Sequence, residues 1–248
     1  MSFVMKESSI SLGFDGEPAG SALAGSSSRL HRTGSLGGTA DLADLPATWI
    51  EGTMTSTLPW DVRHIYTTAD PMYDNVSSWS YLTILTKSLR EHARAGRVRF
   101  LRGCGVSASP DIGPALLESR RGELVIIDLH GWKHEPTLGV TDHNGEQLPS
   151  ALPSKSWSAS VIFLTGCWGS TDMWGAALDK LLAHPTTVIG NSKADGAGWR
   201  DHSPISLIGD VLEQTAGADA SGARDAVRQA LRNDPDMSRK GWEVHSRG

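Results

Sequence analysis

Residues 124–131 read LVIIDLHG, and residues 161–169 read VIFLTGCWG. Each is a short, nearly unbroken run of large apolar side chains that ends in polar residues and glycine. A strand buried on one face alternates apolar and polar residues, whereas a strand buried on both faces does not alternate. Both runs therefore predict inner strands of a parallel sheet, with His130 beyond the end of one and Cys167 beyond the end of the other. Parallel neighbours need long crossover connections, usually helices.

Outward from these runs the same grammar repeats. Val62–Thr67 (VRHIYT), Val98–Leu101 (VRFL) and Thr187–Gly190 (TVIG) predict three more strands. Between them, Ser77 or Ser78 caps a helix through about Arg94, with Tyr81, Leu82, Leu85, Leu89 and His92 on one face and Gly96 closing it. Further helices are expected at Asp111–Arg120, at Ser170–Ala183 with Trp174, Leu178, Leu181 and Leu182 inward, and at Ile205–Ala216. A last helix follows Ser221 as its cap, with Ala223, Ala226, Val227, Ala230 and Leu231 at helical spacing. This alternation predicts an α/β fold of three layers, a mostly parallel central sheet with helices on both faces.

Composition narrows the function. The 248 residues carry 23 basic and 28 acidic side chains, a formal net charge of −5, which argues against a protein built to grip nucleic-acid backbones. No apolar run approaches the roughly 18–20 residues of a membrane-spanning helix, and the N-terminal residues MSFVMKESSISLGF lack the apolar core of a signal peptide. Two cysteines cannot build a disulfide framework, so the expected compartment is the reducing cytoplasm with both thiols free. Residues 8–40 hold eight Ser and seven Gly, which predicts a flexible segment over 1–44 ahead of one domain over 45–248.

In open parallel sheets, chemistry collects at the carboxyl ends of the strands. There a thiol beside an imidazole makes a nucleophile, since the imidazole takes the proton or stabilises the thiolate. Gly131 and Gly169 would let backbone approach a substrate, and backbone N–H groups beside the nucleophile could hold an oxyanion. The helix expected from Ser170 would place its positive dipole end near Cys167 and favour the thiolate. His130, His134, His143 and Cys167 are the candidate zinc ligands, but Gly131 and Pro136 keep the His-x-x-x-His pair off one helix face. Cys104, in the run RGCG, lacks a His-Gly partner and is expected to be structural. Gly103-x-Gly105 is no dinucleotide fingerprint.

The order strand, His-Gly, polar hairpin, strand, Cys resembles the caspase-like (clan CD) cysteine peptidases. The caspase signature is Q-A-C-[RQG]-G with a His about 50 residues upstream. Here TGCWG keeps Cys167 and Gly169, and His130 lies 37 residues earlier. The run EPTLGVTDHNGEQLP is similar to the hairpin that follows His-Gly in the CHAT branch, with Asn144-Gly145 as its turn. ARDAVRQALRNDP resembles the closing helix of CHAT domains. The likeness covers roughly Asp61 to Asp236.

The resemblance implies a cysteine endopeptidase with no metal or organic cofactor. It implies His130 as proton acceptor and donor, Cys167 as nucleophile, and the N–H groups of Gly131 and Cys167 as oxyanion hole. It also implies a protein substrate, an activating protein partner and a place in prokaryotic defence or cell death. Many members carry an acidic or amide side chain two residues before the Cys, where Thr165 stands here, so the usual clue to specificity is missing. Asp128, Asp172, Asp195 and Asp201 are the acidic candidates for a substrate pocket. Trp132, Trp168, Trp174 and Trp199 follow predicted strands and could wall a cleft. The expected substrate contacts are Asp128, Thr165, Trp168, Asp195 and Trp199. Two alternatives stay open: a non-catalytic scaffold or sensor that binds a protein partner, and a hydrolase acting on a small amide or ester.

Overall fold

The run LVIIDL forms a strand because its branched side chains must be covered on both faces of a pleated sheet, and this placement decides the architecture. The computed structural model describes residues 58–68, 76–133, 135–141, 145–170, 172–193 and 202–248. The expected 1–44 segment, His134, His143, Asn144, Asp195, Trp199 and Asp201 lie outside the described residues.

Six strands form the main sheet: β1 (Trp60–Thr67), β2 (Val98–Val106), β3 (Glu123–Asp128), β7 (Val161–Leu164), β8 (Thr186–Asn191) and β9 (Trp242–Arg247), in the order β2-β1-β3-β7-β8-β9. All neighbours run parallel except β9, which is antiparallel to β8. A second sheet of three short antiparallel strands, β4 (His130–Gly131), β5 (Thr137–Gly139) and β6 (Gly145–Gln147), branches off after β3.

Alternate residues of each inner strand supply opposite cores. On one face Ile65, Val125, Ile127, Ile162 and Leu164 pack under α2 (Ile112–Leu117), α3 (Leu148–Ala151) and α4 (Asp172–Leu181). On the other, Val62, Leu124, Ile126, Val161 and Phe163 pack under α1 (Val76–Arg94), α5 (Ser203–Gln214), α6 (Ala220–Asn233) and the short α7 (Pro235–Arg239). The three-layer α/β fold is the one expected.

Several local expectations are corrected. β2 does not stop at Leu101 but runs to Val106, so Cys104 sits within a strand, opposite Ile65. As an edge strand β2 needs only one covered face, so its continuation RGCGV carries no apolar run to read. The helix expected at Asp111–Arg120 shrinks to a 3-10 turn at Ser109–Asp111 and α2. Asp219, not Ser221, caps α6, its side chain accepting from the Gly222 N–H. The final strand β9 was not expected, although WEVHSR alternates as a half-buried edge strand should.

The strand VRHIYT also hides three polar side chains in the sheet, Arg63, His64 and Thr67. Arg63 is 2% exposed and reaches Glu123 Oε2 (3.1 Å), Glu118 Oε2 (3.1 Å) and the Glu118 backbone carbonyl (3.0 Å). A buried guanidinium is tolerated only when paired this fully. Arg63→Met is expected to lower unfolding free energy by about 3 kcal/mol, because Glu123 loses its main cation. Urea unfolding of the two proteins measures this directly; an unchanged midpoint would mean the ion pairs are not needed.

Candidate active site

β3 and β7 are direct neighbours in the register Ile127 opposite Leu164. The Thr165 N–H donates to the Ile127 carbonyl (3.1 Å), carrying the ladder to the end of β7. The chain after β3 therefore leaves the sheet beside the chain after β7, and the turns bearing His130 and Cys167 share one edge.

Both turns are then fixed. His130 and Gly131 form β4, paired with β5 as His130 opposite Gly139 and Gly131 opposite Leu138. The Thr67 hydroxyl donates to the Val140 carbonyl (2.7 Å), tying this small sheet to the end of β1. The expected hairpin exists, but Gly145 pairs with Gly139 at the head of β6. Gly145 thus opens β6, and Asn144 lies outside the described residues.

The two turns touch through backbone. A methyl group at Gly131 would overlap the Cys167 carbonyl oxygen and lie 3.2 Å from its carbon. A methyl group at Gly166 would overlap the Leu129 carbonyl oxygen and lie 3.4 Å from the Gly131 nitrogen. The sequence suggested that glycine here admits a substrate; Gly131 instead admits the neighbouring turn. Cys167 and His130 are both half-buried. Cys167 lines a recess with Ile127, Gly131, Leu138, Leu164 and Trp174 that is too narrow to take a water molecule.

Beyond Cys167 the chain makes a tight turn. Trp168 has φ 64°, a left-handed conformation that costs a bulky residue about 1 kcal/mol or more. The Lys133 ammonium sits 5.0 Å from the centre of its ring, a cation–π contact linking the two turns at their rim. Ser170 Oγ donates to Glu243 Oε2 (2.7 Å), and His245 Nε2 stands 3.1 Å from Ser170 and 3.2 Å from Glu243. The turn is thereby held from β9. α4 begins at Asp172, five residues past Cys167, so the expected cap-like position of the thiol at a helix start is not formed. A helix dipole acts mainly within its first turn.

The expected substrate contacts divide. Trp168 is half-buried at the rim. Asp128 (2% exposed) and Thr165 (0%) point into the protein, so neither is placed to touch a substrate. Thr165 Oγ1 lies 3.0 Å from Asp128 Oδ1, and Asp128 Oδ2 lies 3.7 Å from Nε2 of the buried His64. Trp174 is buried under the recess. Asp172 is exposed in the first turn of α4. His64, Lys133, Ser170, Glu243 and His245 were not singled out from sequence. Only the alternation of Glu243 and His245 along WEVHSR could have marked two of them. The other thiol, Cys104, is half-buried and packs on the core. Burial pushes its pKa up and Glu118 adds to this, opposed by Arg63 and Arg102. Burial, then Cys104, likewise raises Tyr66.

No protein-family model matches the chain, and no curated protein sequence does. Among solved structures it is similar to the Arg-specific cysteine proteinase gingipain R, at 15% identity and TM-score 0.43, covering 74% of this chain and 45% of that one. It is similar also to the complex of Porphyromonas gingivalis RgpB pro- and mature domains, at 13% identity and TM-score 0.41, covering 74% of this chain and 46% of that one. The chain thus spans less than half the length of either. Among the described residues no helix is long and apolar enough to cross a membrane.

The turn contact makes a test. Gly131→Ala must push the two turns apart, at an expected cost of about 2 kcal/mol. Chemical unfolding measures the loss, and slower alkylation of Cys167 by iodoacetamide should accompany it. An alanine variant matching the parent in both would show that the turns are not in close contact.

Proposed function

We propose that this chain is a caspase-like cysteine endopeptidase that hydrolyses protein substrates with a His130–Cys167 dyad. The observation that carries the reading is the backbone contact between Gly131 and Cys167, on neighbouring strand ends of a parallel sheet. The Cys167 thiolate attacks the scissile carbonyl carbon, and the N–H groups of Gly131 and Cys167 hold the resulting oxyanion. As the C–N bond breaks, His130 gives its proton to the leaving amine, leaving a thioester on Cys167. Water then attacks the thioester while His130 takes its proton, and the C–S bond breaks to free the acid product and return Cys167 to the thiolate beside protonated His130. Trp168 supplies apolar wall beside the scissile bond, and Asp195 and Trp199 are further substrate contacts. No metal or organic cofactor enters this cycle.

The narrow recess at Cys167 supports a resting form that opens when an activating protein binds, as in a regulated cytoplasmic effector of prokaryotic defence or cell death. The same recess favours one other reading, a non-catalytic scaffold or sensor of the same fold.

One set of variants separates them. With a panel of denatured proteins as substrates, Cys167→Ala is expected to lower cleavage by at least about a thousandfold, whereas Cys104→Ser stays within about twofold of the parent. In the parent, Cys167 should alkylate faster at neutral pH than Cys104, whose raised pKa leaves it less thiolate. Cleavage that survives Cys167→Ala would remove the nucleophile assignment. A Cys167 no more reactive than Cys104, with no substrate cut, would favour the scaffold.

A further inference from the structure

Three polar side chains meet inside the sheet on three adjacent strands. His64 on β1 is 4% exposed, Asp128 at the end of β3 is 2% exposed, and Thr165 just past β7 is fully buried. They share one face, since Tyr66 pairs with Asp128 and His64 lies two positions before Tyr66. The Thr165 hydroxyl lies 3.0 Å from both the Ile127 carbonyl oxygen and Asp128 Oδ1, and its single hydrogen goes to one of them at a time. An acceptor carboxylate is the stronger claimant for that hydrogen. His64 Nε2 stands 3.7 Å from Asp128 Oδ2, beyond hydrogen-bond distance, and packs beside that oxygen from β1.

Apolar residues of the same volume would fill this space at no cost in stability, so burial alone gives no reason for the triple. Its position does. Asp128 stands two residues before His130, and Thr165 two residues before Cys167. Two residues of extended chain span about 7 Å. A shift between Asp128 and Thr165 is therefore passed almost directly to the His130 and Cys167 turns.

We infer that Thr165, Asp128 and His64 form a buried clamp that sets the spacing of the His130 and Cys167 turns, as positioning residues that do not contact substrate. The inference rests on the dyad reading. Displacements of about 1 Å at a reacting pair cost up to two orders of magnitude in rate.

The test uses the full chain and iodoacetamide, with Cys104 as internal reference. Thr165→Val keeps the shape and removes the hydroxyl. It is expected to slow alkylation of Cys167 about tenfold relative to Cys104, and Thr165→Ser should restore the ratio to within about twofold. A general loosening of the fold would speed both thiols, so the ratio separates positioning from stability. Asp128→Asn should move the ratio the same way and serves if Thr165→Val does not fold. A ratio unchanged in Thr165→Val or Asp128→Asn, or not restored by Thr165→Ser, overturns the clamp. His130→Ala is measured alongside: a slowed Cys167 there with an unchanged clamp variant leaves the dyad standing and removes the clamp alone. An unchanged Cys167 in His130→Ala removes the dyad and the clamp with it.

Discussion

The register between β3 and β7 is the constraint on which the site depends. Side chains along a strand alternate, so a slip of one residue would turn Leu124, Ile126 and Asp128 toward the opposite core. It would also offset the two turns and replace the glycine facing Cys167 with a residue that has a side chain. The register is held by unbroken apolar burial on both faces: Val125 and Ile127 against one helical layer, Leu124 and Ile126 against the other. Packing of this kind tolerates no slip, because every inward position on each face is already filled. The rigid scaffold and the placement of the His130 and Cys167 turns are therefore one property.

Much of this was legible because strand chemistry is local. LVIIDL and VIFL announced inner strands by having no polar face to show, and the helices announced themselves by spacing. What was not legible depends on tertiary partners. Arg63 and His64 look like solvent-facing residues of VRHIYT until Glu118 at the end of α2, and Glu123 and Asp128 on β3, are brought to them. Asp128 looked like a pocket residue because it precedes His130, but its place in the alternation turns it inward. Gly103 and Cys104 looked like a loop because an edge strand need not be apolar. The helix expected from Ser170 begins instead at Asp172, and the Ser170 hydroxyl is held by Glu243 on β9.

The site has one layer of apolar walls and one of polar braces, and they do different work. Ile127, Leu138 and Leu164 give the recess beside Cys167 an apolar lining. An apolar lining strengthens any charge interaction beside it. Lys133 over Trp168 and Ser170 on β9 hold the rim from opposite sides. The left-handed turn at Trp168 persists because these contacts over-determine it.

The hold of β9 on Ser170 also has a consequence in time. β9 is the last element in chain order, yet Glu243 and His245 steady the turn three residues beyond Cys167. During synthesis the parallel strands, His130 and Cys167 leave the ribosome well before β9 does. Until then β8 is an open edge and the thiol turn lacks its tether. Completion of the turn is thus coupled to completion of the sheet, and a nascent chain carries the thiol without the finished setting around it.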